Sequence, residues 1–193
     1  MAQLRLWMSA VSHVVSRLER THSALVEAMI AVPWTTMDVT TVKSYIHFVG
    51  MLLSARPEYL SLVLNKIIQG FTYRMSVVYS CSQLDIDKVS ESGLQALDAG
   101  MPEGSSSPLT RRVIYDRLHA LLRHIYSLIP TLPSTLQPLL VHNFPHKRQN
   151  QVAQTTYIRN LLRVTEYCAE LADTILATII EHAIQIDVRH YSN

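Results

Sequence analysis

The 193-residue chain has few charged residues, two cysteines and no long apolar run. Each of these shortages excludes or disfavours a class of protein. Asp, Glu, Lys and Arg make up 17% of the residues and the net charge is +2, which gives no general argument for nucleic acid binding. Cys81 and Cys168 have no CxxC motif or Cys/His cluster around them, so we expect free thiols in a reducing compartment. No uncharged run reaches the roughly 18 to 20 residues of a membrane helix, and no small-residue cleavage site follows the N-terminus. We therefore expect neither a membrane segment nor a signal peptide.

Hydrophobic residues, by contrast, make up 48% of the chain and recur at the helical spacings of three and four. Residues 32–68 and 144–180 carry the same pattern, with Tyr45 and Tyr157 placed 112 residues apart. Each copy predicts two amphipathic helices that meet at a short break. The two breaks fall at Arg56-Pro57 and at Cys168-Ala169.

A repeated helix pair that cannot bury its apolar face alone is the unit of an α-solenoid. We therefore predict an all-α fold, a HEAT-like solenoid of stacked antiparallel helix pairs, with one helix over residues 11–32 and a cap for the next helix at Asp38 or Thr40. The predicted divisions are first helical repeats at 11–73, a serine-rich flexible loop or insertion at 74–107, second helical repeats at 108–188 and a polar tail at 189–193.

No catalytic motif occurs in the sequence: it has no GxGxxG, P-loop, HExxH or GxSxG pattern. His142 and His146 have the spacing of a helical metal pair, but Pro145 between them breaks any helix and no third ligand is near. We therefore expect a protein that is not an enzyme, with no cofactor, no metal and no small-molecule substrate.

Basic residues give a candidate contact surface that could follow a phosphate backbone. Few aromatic residues are interspersed with them, so a platform for stacking single-stranded bases is poorly supported, and a solvated face paired with acidic residues is the stronger interpretation. The residues of this candidate basic surface are Arg111, Arg112, Lys147, Arg148, Arg159 and Arg163.

Ser107 is a candidate phosphorylation site because it precedes Pro108 in the serine-rich segment, as proline-directed kinases require. A phosphate there would lie at a helix N-terminus and near Arg111 and Arg112, both of which favour negative charge. The simpler alternative is a plain serine cap followed by proline in the first helical turn.

The stretch from Tyr126 to Val188 resembles the RNA polymerase I-specific transcription initiation factor family, also called TIF-IA, and is closest to its fungal members. The upstream part from Leu25 to Leu64, with Pro33-Trp34, is similar to the same family. The motifs that carry the resemblance are Pro138 to Val141, Phe144-Pro145, Tyr157, Asn160 to Arg163, Ile179 to Glu181 and Asp187-Val188.

This resemblance implies a HEAT-type solenoid without an enzyme active site. It also implies partners: RNA polymerase I, bound chiefly through its stalk region, and a core promoter factor that brings the polymerase to ribosomal DNA promoters. Phosphorylation would control the interaction, and the location would be the nucleus, in the nucleolus.

The chain resembles an N-terminal fragment of the family, which gives a truncated array. An array that ends in mid-stack leaves an apolar face, so self-association through the cut end is expected. Two other hypotheses stay open. One is a nucleic-acid-binding helical repeat in which the arginines of the candidate basic surface contact DNA directly, and the other is a non-functional truncated gene product.

Overall fold

The computed structural model describes residues 2–72, 111–146, 149 and 151–187. Every regular element in these ranges is a helix, which confirms the predicted all-α class. The predicted loop at 74–107 and tail at 189–193 lie outside the described residues, so their assignments stay predictions. The α-helices are α1 Ala2–Val14, α2 Ser23–Ile30, α3 Val39–Ala55, α4 Leu60–Gln69, α5 Arg111–Leu128, α6 Leu132–His142, α7 Gln151–Thr165 and α8 Ala172–Asp187.

The two copies of the sequence repeat fold alike. Helices α3 and α4 form the first copy and α7 and α8 the second, and each pair is separated by the predicted break. Arg56 and Cys168 adopt nearly the same backbone conformation at these breaks, with φ/ψ of −140°/76° and −127°/73°. Each is followed by one 3₁₀ turn, Pro57–Tyr59 or Ala169–Leu171, so the repeat extends to the backbone geometry.

A fully buried tyrosine fixes each copy to the helix before it. The Tyr45 hydroxyl donates to the Ile30 carbonyl at 2.9 Å, and the Tyr157 hydroxyl donates to the Leu140 carbonyl at 2.7 Å. Both carbonyls lie near the C-terminal end of a helix, where the backbone has unsatisfied acceptors. An aromatic ring packs on each tyrosine ring: Trp34 on Tyr45 at 4.8 Å and Phe144 on Tyr157 at 5.3 Å.

The N-terminal region differs from the single helix predicted over 11–32. Helix α1 begins at Ala2, well before the predicted start at residue 11, because the buried period continues upstream through Met8. The helix then breaks, since Leu18 adopts an extended conformation and its carbonyl accepts a hydrogen bond from the Arg56 guanidinium. A tertiary contact from 38 residues away therefore divides the predicted helix into α1 and α2.

Asp38 caps α3, as one of the two predicted candidates. Its side chain accepts a hydrogen bond from the Thr41 backbone N–H at 3.1 Å, and Arg5 of α1 contacts the same carboxylate at 3.1 Å. Hydrogen bonds from Thr40 and Thr41 hold the pKa of Asp38 well below its ordinary value. The cap therefore also connects the start of α1 to the start of α3.

Helix α5 packs closely across the first copy because two glycines make room for it. A Cβ atom added at Gly50 would lie 2.7 Å from His124 Nε2, and one added at Gly70 would lie 2.8 Å from Leu118 Cδ1. Real Cβ atoms do not come this close to a neighbour, so a side chain at either position would displace His124 or Leu118 of α5.

We predict that Tyr45→Phe and Tyr157→Phe each lower the free energy of unfolding by about 1–2 kcal/mol, because each leaves a buried carbonyl without its donor. Chemical denaturation monitored by circular dichroism measures the loss. Tyr59→Phe is the matched control, since Tyr59 is only partly buried, and its effect should be near zero. Unequal losses at Tyr45 and Tyr157 would contradict their equivalence in the two copies.

Candidate interaction surface

The structure places three of the six predicted basic residues on the outer surface. Arg111 and Arg112 are exposed at the first two positions of α5, and Arg159 is exposed on α7. Lys147 and Arg148, like the candidate phosphorylation site Ser107, lie outside the described residues. The described part of the basic surface is therefore small.

Arg163, the fourth described member, points toward α5. Its guanidinium lies 2.6 Å from an Asp116 carboxylate oxygen, and the side chain is 30% exposed. The ion pair joins α7 to α5 and offsets the charge that Arg163 would otherwise present. A close ion pair between two helices contributes to their packing, so Arg163 is less suited than an exposed arginine to bind a partner.

Two further arginines of α5 also contact other helices. Arg117 donates to the carbonyls of Thr35 and Met37, at 2.6 and 2.7 Å, in the loop before α3. Arg123 lies 4.8 Å from the centre of the Tyr167 ring, in a cation–π arrangement. Both arginines make contacts within the chain, so fewer positive groups are available to bind a nucleic acid.

A buried polar network, which sequence reasoning did not find, lies beneath this surface. Asn160 donates to the carbonyls of Phe71 and Thr156, at 3.1 and 3.0 Å, so its Oδ1 is left as an acceptor. His119, fully buried on α5, places Nε2 3.1 Å from that oxygen and Nδ1 2.8 Å from the Tyr167 hydroxyl. We call these side chains, His119, Asn160 and Tyr167, the histidine joint.

The contacts of the joint define the state of the imidazole. Nε2 must carry the proton because it faces the Asn160 Oδ1 acceptor, and Nδ1 then accepts from the Tyr167 O–H. Burial lowers the pKa of His119 to about 4, because the charged form loses its solvation. The ring is also stacked on Phe71, with ring centres 5.1 Å apart. His119 is therefore a neutral connector between the end of α4 and α7.

A sequence signal for the joint did exist. His119 occupies a position between Leu118 and Leu122, both buried, and Asn160 directly precedes the buried Leu161. A polar side chain on an apolar helical stripe needs an internal partner, since burying it unpaired is costly. Which partner it finds depends on how α5 crosses α7, and helical periodicity alone does not define that crossing.

Apolar side chains are exposed at both ends of the described array. On α8 the exposed residues are spaced four apart and so form one stripe, Leu176, Ile180 and Ile184. On α1 the exposed apolar residues are Leu6, Trp7 and Val14. Uncovered apolar patches of this kind are typical of contact surfaces.

Two classes of site have no support in the part of the chain that the structure describes. No three His, Cys, Asp or Glu side chains there are grouped closely enough to hold a metal ion. None of the described helices has the length and hydropathy needed to cross a bilayer.

Comparison with known proteins gives the family. The sequence pattern of "RNA polymerase I specific transcription initiation factor RRN3" matches residues 1–192. The chain belongs to this family. The match includes the serine-rich segment and nearly all of the polar tail, and it confirms the resemblance carried by the motifs between Tyr126 and Val188.

Individual relatives agree with the family assignment. The chain is 30% identical to the RNA polymerase I-specific transcription initiation factor rrn3 of Schizosaccharomyces pombe, over 96% of this chain and 26% of that protein. It is 28% identical to the mouse protein RRN3, over 94% of this chain and 25% of that protein. The chain thus spans about a quarter of the length of these relatives. Their names describe initiation factors and not enzymes.

A solved structure confirms the architecture. The crystal structure of RNA polymerase I transcription initiation factor Rrn3 aligns with a TM-score of 0.71 at 20% identity, covering 96% of this chain and 31% of that one. That structure is a helical-repeat fold, so the predicted helical-repeat class is confirmed for this family member.

Acidification should destabilise the fold through the histidine joint. The unfolded chain protonates His119 near pH 6.5, whereas the folded chain does so only near pH 4. Stability from the joint is therefore complete above pH 6.5 and is lost as the pH falls toward 4, by up to about 3 kcal/mol. Denaturant unfolding at a series of pH values measures this slope.

The variant His119→Phe should lower stability at neutral pH and flatten the slope between pH 6.5 and 4, because phenylalanine stacks on Phe71 but does not titrate. His47→Phe is the matched control, since His47 is exposed on α3, and it should keep the slope of the parent chain. Protonation of Asp38 removes the cap of α3, but this changes the stability only in a separate pH range, below 3.8. An unchanged slope in His119→Phe would refute the neutral, buried imidazole.

Proposed function

We propose that this chain is the N-terminal helical-repeat part of an RNA polymerase I initiation factor, and that it binds the polymerase and helps recruit it to ribosomal DNA promoters. The observation that carries the proposal is the family match over residues 1–192 together with the shared helical-repeat fold. Helical arrays present extended surfaces to macromolecules, which suits a recruiting role. The chain acts by binding and performs no chemistry of its own.

The finer parts of the proposal come from the resemblance. The polymerase partner is contacted through its stalk region, a core promoter factor is the second partner, and the chain acts in the nucleus, within the nucleolus. We propose that the polymerase is contacted by the exposed Arg111, Arg112 and Arg159 and by Lys147 and Arg148, which lie outside the described residues. We call this set of five residues the basic rim.

The use of arginines inside the fold supports protein recognition over the rival function, binding to nucleic acid. Arg117, Arg123 and Arg163 each contact another part of the chain, whereas Arg111 and Arg112 at the start of α5 are exposed. Sequence-independent DNA binding relies on many cationic contacts and falls steeply with salt. A thin rim of charge suits steering toward a protein partner.

Co-migration with purified polymerase I on size exclusion tests the proposed function. We expect the 193-residue chain to elute with the polymerase. The triple variant Arg111→Ala/Arg112→Ala/Arg159→Ala should still bind, with affinity reduced by roughly tenfold or less, because rim charges act mainly on the association rate. Lys43→Ala/Lys66→Ala, which removes two exposed charges from the first copy, is the control and should bind like the parent chain.

Each rival hypothesis has its own result in this experiment. Failure of the folded chain to elute with the polymerase would contradict the proposal and favour a non-functional truncated product. Binding to a DNA duplex alone, with a steep loss of affinity as salt rises, would favour the nucleic-acid function.

We propose further that phosphorylation of Ser107 modulates polymerase binding, since Ser107-Pro108 precedes the exposed Arg111 and Arg112. A phosphate there would neutralise part of the basic rim. A Ser107→Asp variant should bind polymerase more weakly than the parent, and Ser107→Ala should bind equally well, as measured by the same co-migration. Ser106→Asp is the matched control because Ser106 is not followed by proline. Unchanged phosphate content of the Ser107→Ala protein in cells would refute the site.

A further inference from the structure

Two ion pairs join α5 to α7 along the line where these helices pack side by side, which we call the seam. Asp116 of α5 lies 2.6 Å from Arg163 of α7. Further along, Arg123 of α5 lies 3.9 Å from Glu166, which directly follows α7. From the first pair to the second the residue numbers rise on both sides of the seam, so α5 and α7 run in the same direction.

The seam has one more level toward the N-terminal ends of the two helices, and two arginines lie there. Arg112 stands four positions before Asp116 on α5, and Arg159 stands four positions before Arg163 on α7. Residues four apart lie on one face of a helix, about one turn from each other. Because the helices run in the same direction, Arg112 and Arg159 are neighbours across the seam. Both side chains are exposed.

The charge at this first level differs from the charge at the two levels below it. Each lower level combines a guanidinium with a carboxylate, whereas the first level combines two guanidinium groups, which repel each other. Asp116 is the one acidic residue in the sequences of α5 and α7, and it contacts Arg163. The two helices therefore place no carboxylate between Arg112 and Arg159. An exposed arrangement that lowers stability in this way is typical of a binding site.

The two lower levels restrict the kind of anion that fits the first one. A nucleic acid presents a continuous row of phosphates, and its binding relies on several cationic contacts along that row. Here the row of positive charge stops after one level, because Asp116 and Glu166 offset the arginines that follow. A single carboxylate of a protein suits this arrangement, since a guanidinium can donate two parallel hydrogen bonds to it.

We infer that Arg112 and Arg159 together bind the carboxylate of one Asp or Glu side chain on the surface of the polymerase. This inference rests on the proposed function, because it takes the polymerase as the partner. Within the basic rim it assigns the central contact to these two residues. Arg111 has a lesser role, since its position on α5 is turned by about 100° from that of Arg112.

Charge reversal at Arg112 tests the inference through two separate measurements. Arg112→Glu places a carboxylate beside Arg159, so the affinity for polymerase I should fall by roughly tenfold. The same change should raise the midpoint of chemical denaturation of the free chain, because an ion pair replaces a repulsion.

Arg111→Glu is the matched control, since it makes the same change of charge at the neighbouring position. Both variants gain from an acidic residue in the first turn of α5, but only Arg112→Glu adds the ion pair across the seam. The midpoint should therefore rise more in Arg112→Glu than in Arg111→Glu, and the affinity for the polymerase should fall less in the control.

A zero-length crosslink identifies the group that the two arginines bind. Arg112→Lys keeps the positive charge and supplies a primary amine, which a carbodiimide joins only to a carboxylate in contact with it. In the complex with polymerase I, the expected product joins this position to an Asp or Glu of a polymerase subunit. The yield should be higher than with the control Arg111→Lys, as measured by mass spectrometry of the digested complex.

The possible results separate this inference from the proposed function. A folded parent chain that does not bind the polymerase would contradict both. If the parent binds, three results would each overturn the inference and leave the proposed function intact: equal losses of affinity in Arg112→Glu and Arg111→Glu, equal denaturation midpoints in these variants, or no crosslink from Arg112→Lys to the polymerase. Binding of duplex DNA by the free chain that is lost in Arg112→Glu would assign the two arginines to phosphate and would also overturn it.

Discussion

The neutral imidazole of His119 is the constraint on which the arrangement of the two copies depends. A buried ring nitrogen without a partner would cost more than most single contacts contribute, so α5 and α7 must cross where Asn160 and Tyr167 meet both nitrogens. Asn160 also binds the Phe71 carbonyl, which brings the end of the first copy to the same point. Apolar packing tolerates small shifts between helices, whereas this network of directed hydrogen bonds accepts one register.

The way α5 crosses α7 also determines which side chains remain exposed on the surface. With α5 held across α7, Arg163 of the predicted basic surface contacts Asp116, and Arg123 lies over the Tyr167 ring. Both positive groups therefore contact other parts of the fold. Fewer of the predicted basic residues therefore face outward, in keeping with the low charge content of the whole chain. Exposed apolar side chains form one stripe on α8, Leu176, Ile180 and Ile184. Uncovered apolar patches of this kind are typical of contact surfaces.

The repeat, the two breaks and the cap at Asp38 were predictable, because each follows from local spacing or from the residue types that helix ends prefer. The division of the predicted 11–32 helix was not, since it depends on Arg56 reaching the Leu18 carbonyl from another helix. The contacts of the arginines were equally unpredictable from the sequence. Periodicity indicates which side of a helix is buried but not which helix it meets, so the ion pair of Arg163 with Asp116 could not be predicted from the sequence.

Nitrogen-15 NMR of the His119 ring tests the central claim most directly, because its chemical shifts report which nitrogen carries the proton. The account predicts a neutral ring at pH 7 with the proton on Nε2, and protonation only as the pH approaches 4. A proton on Nδ1 at pH 7, or titration near the ordinary value of 6.5, would contradict the joint and with it the register of the two copies.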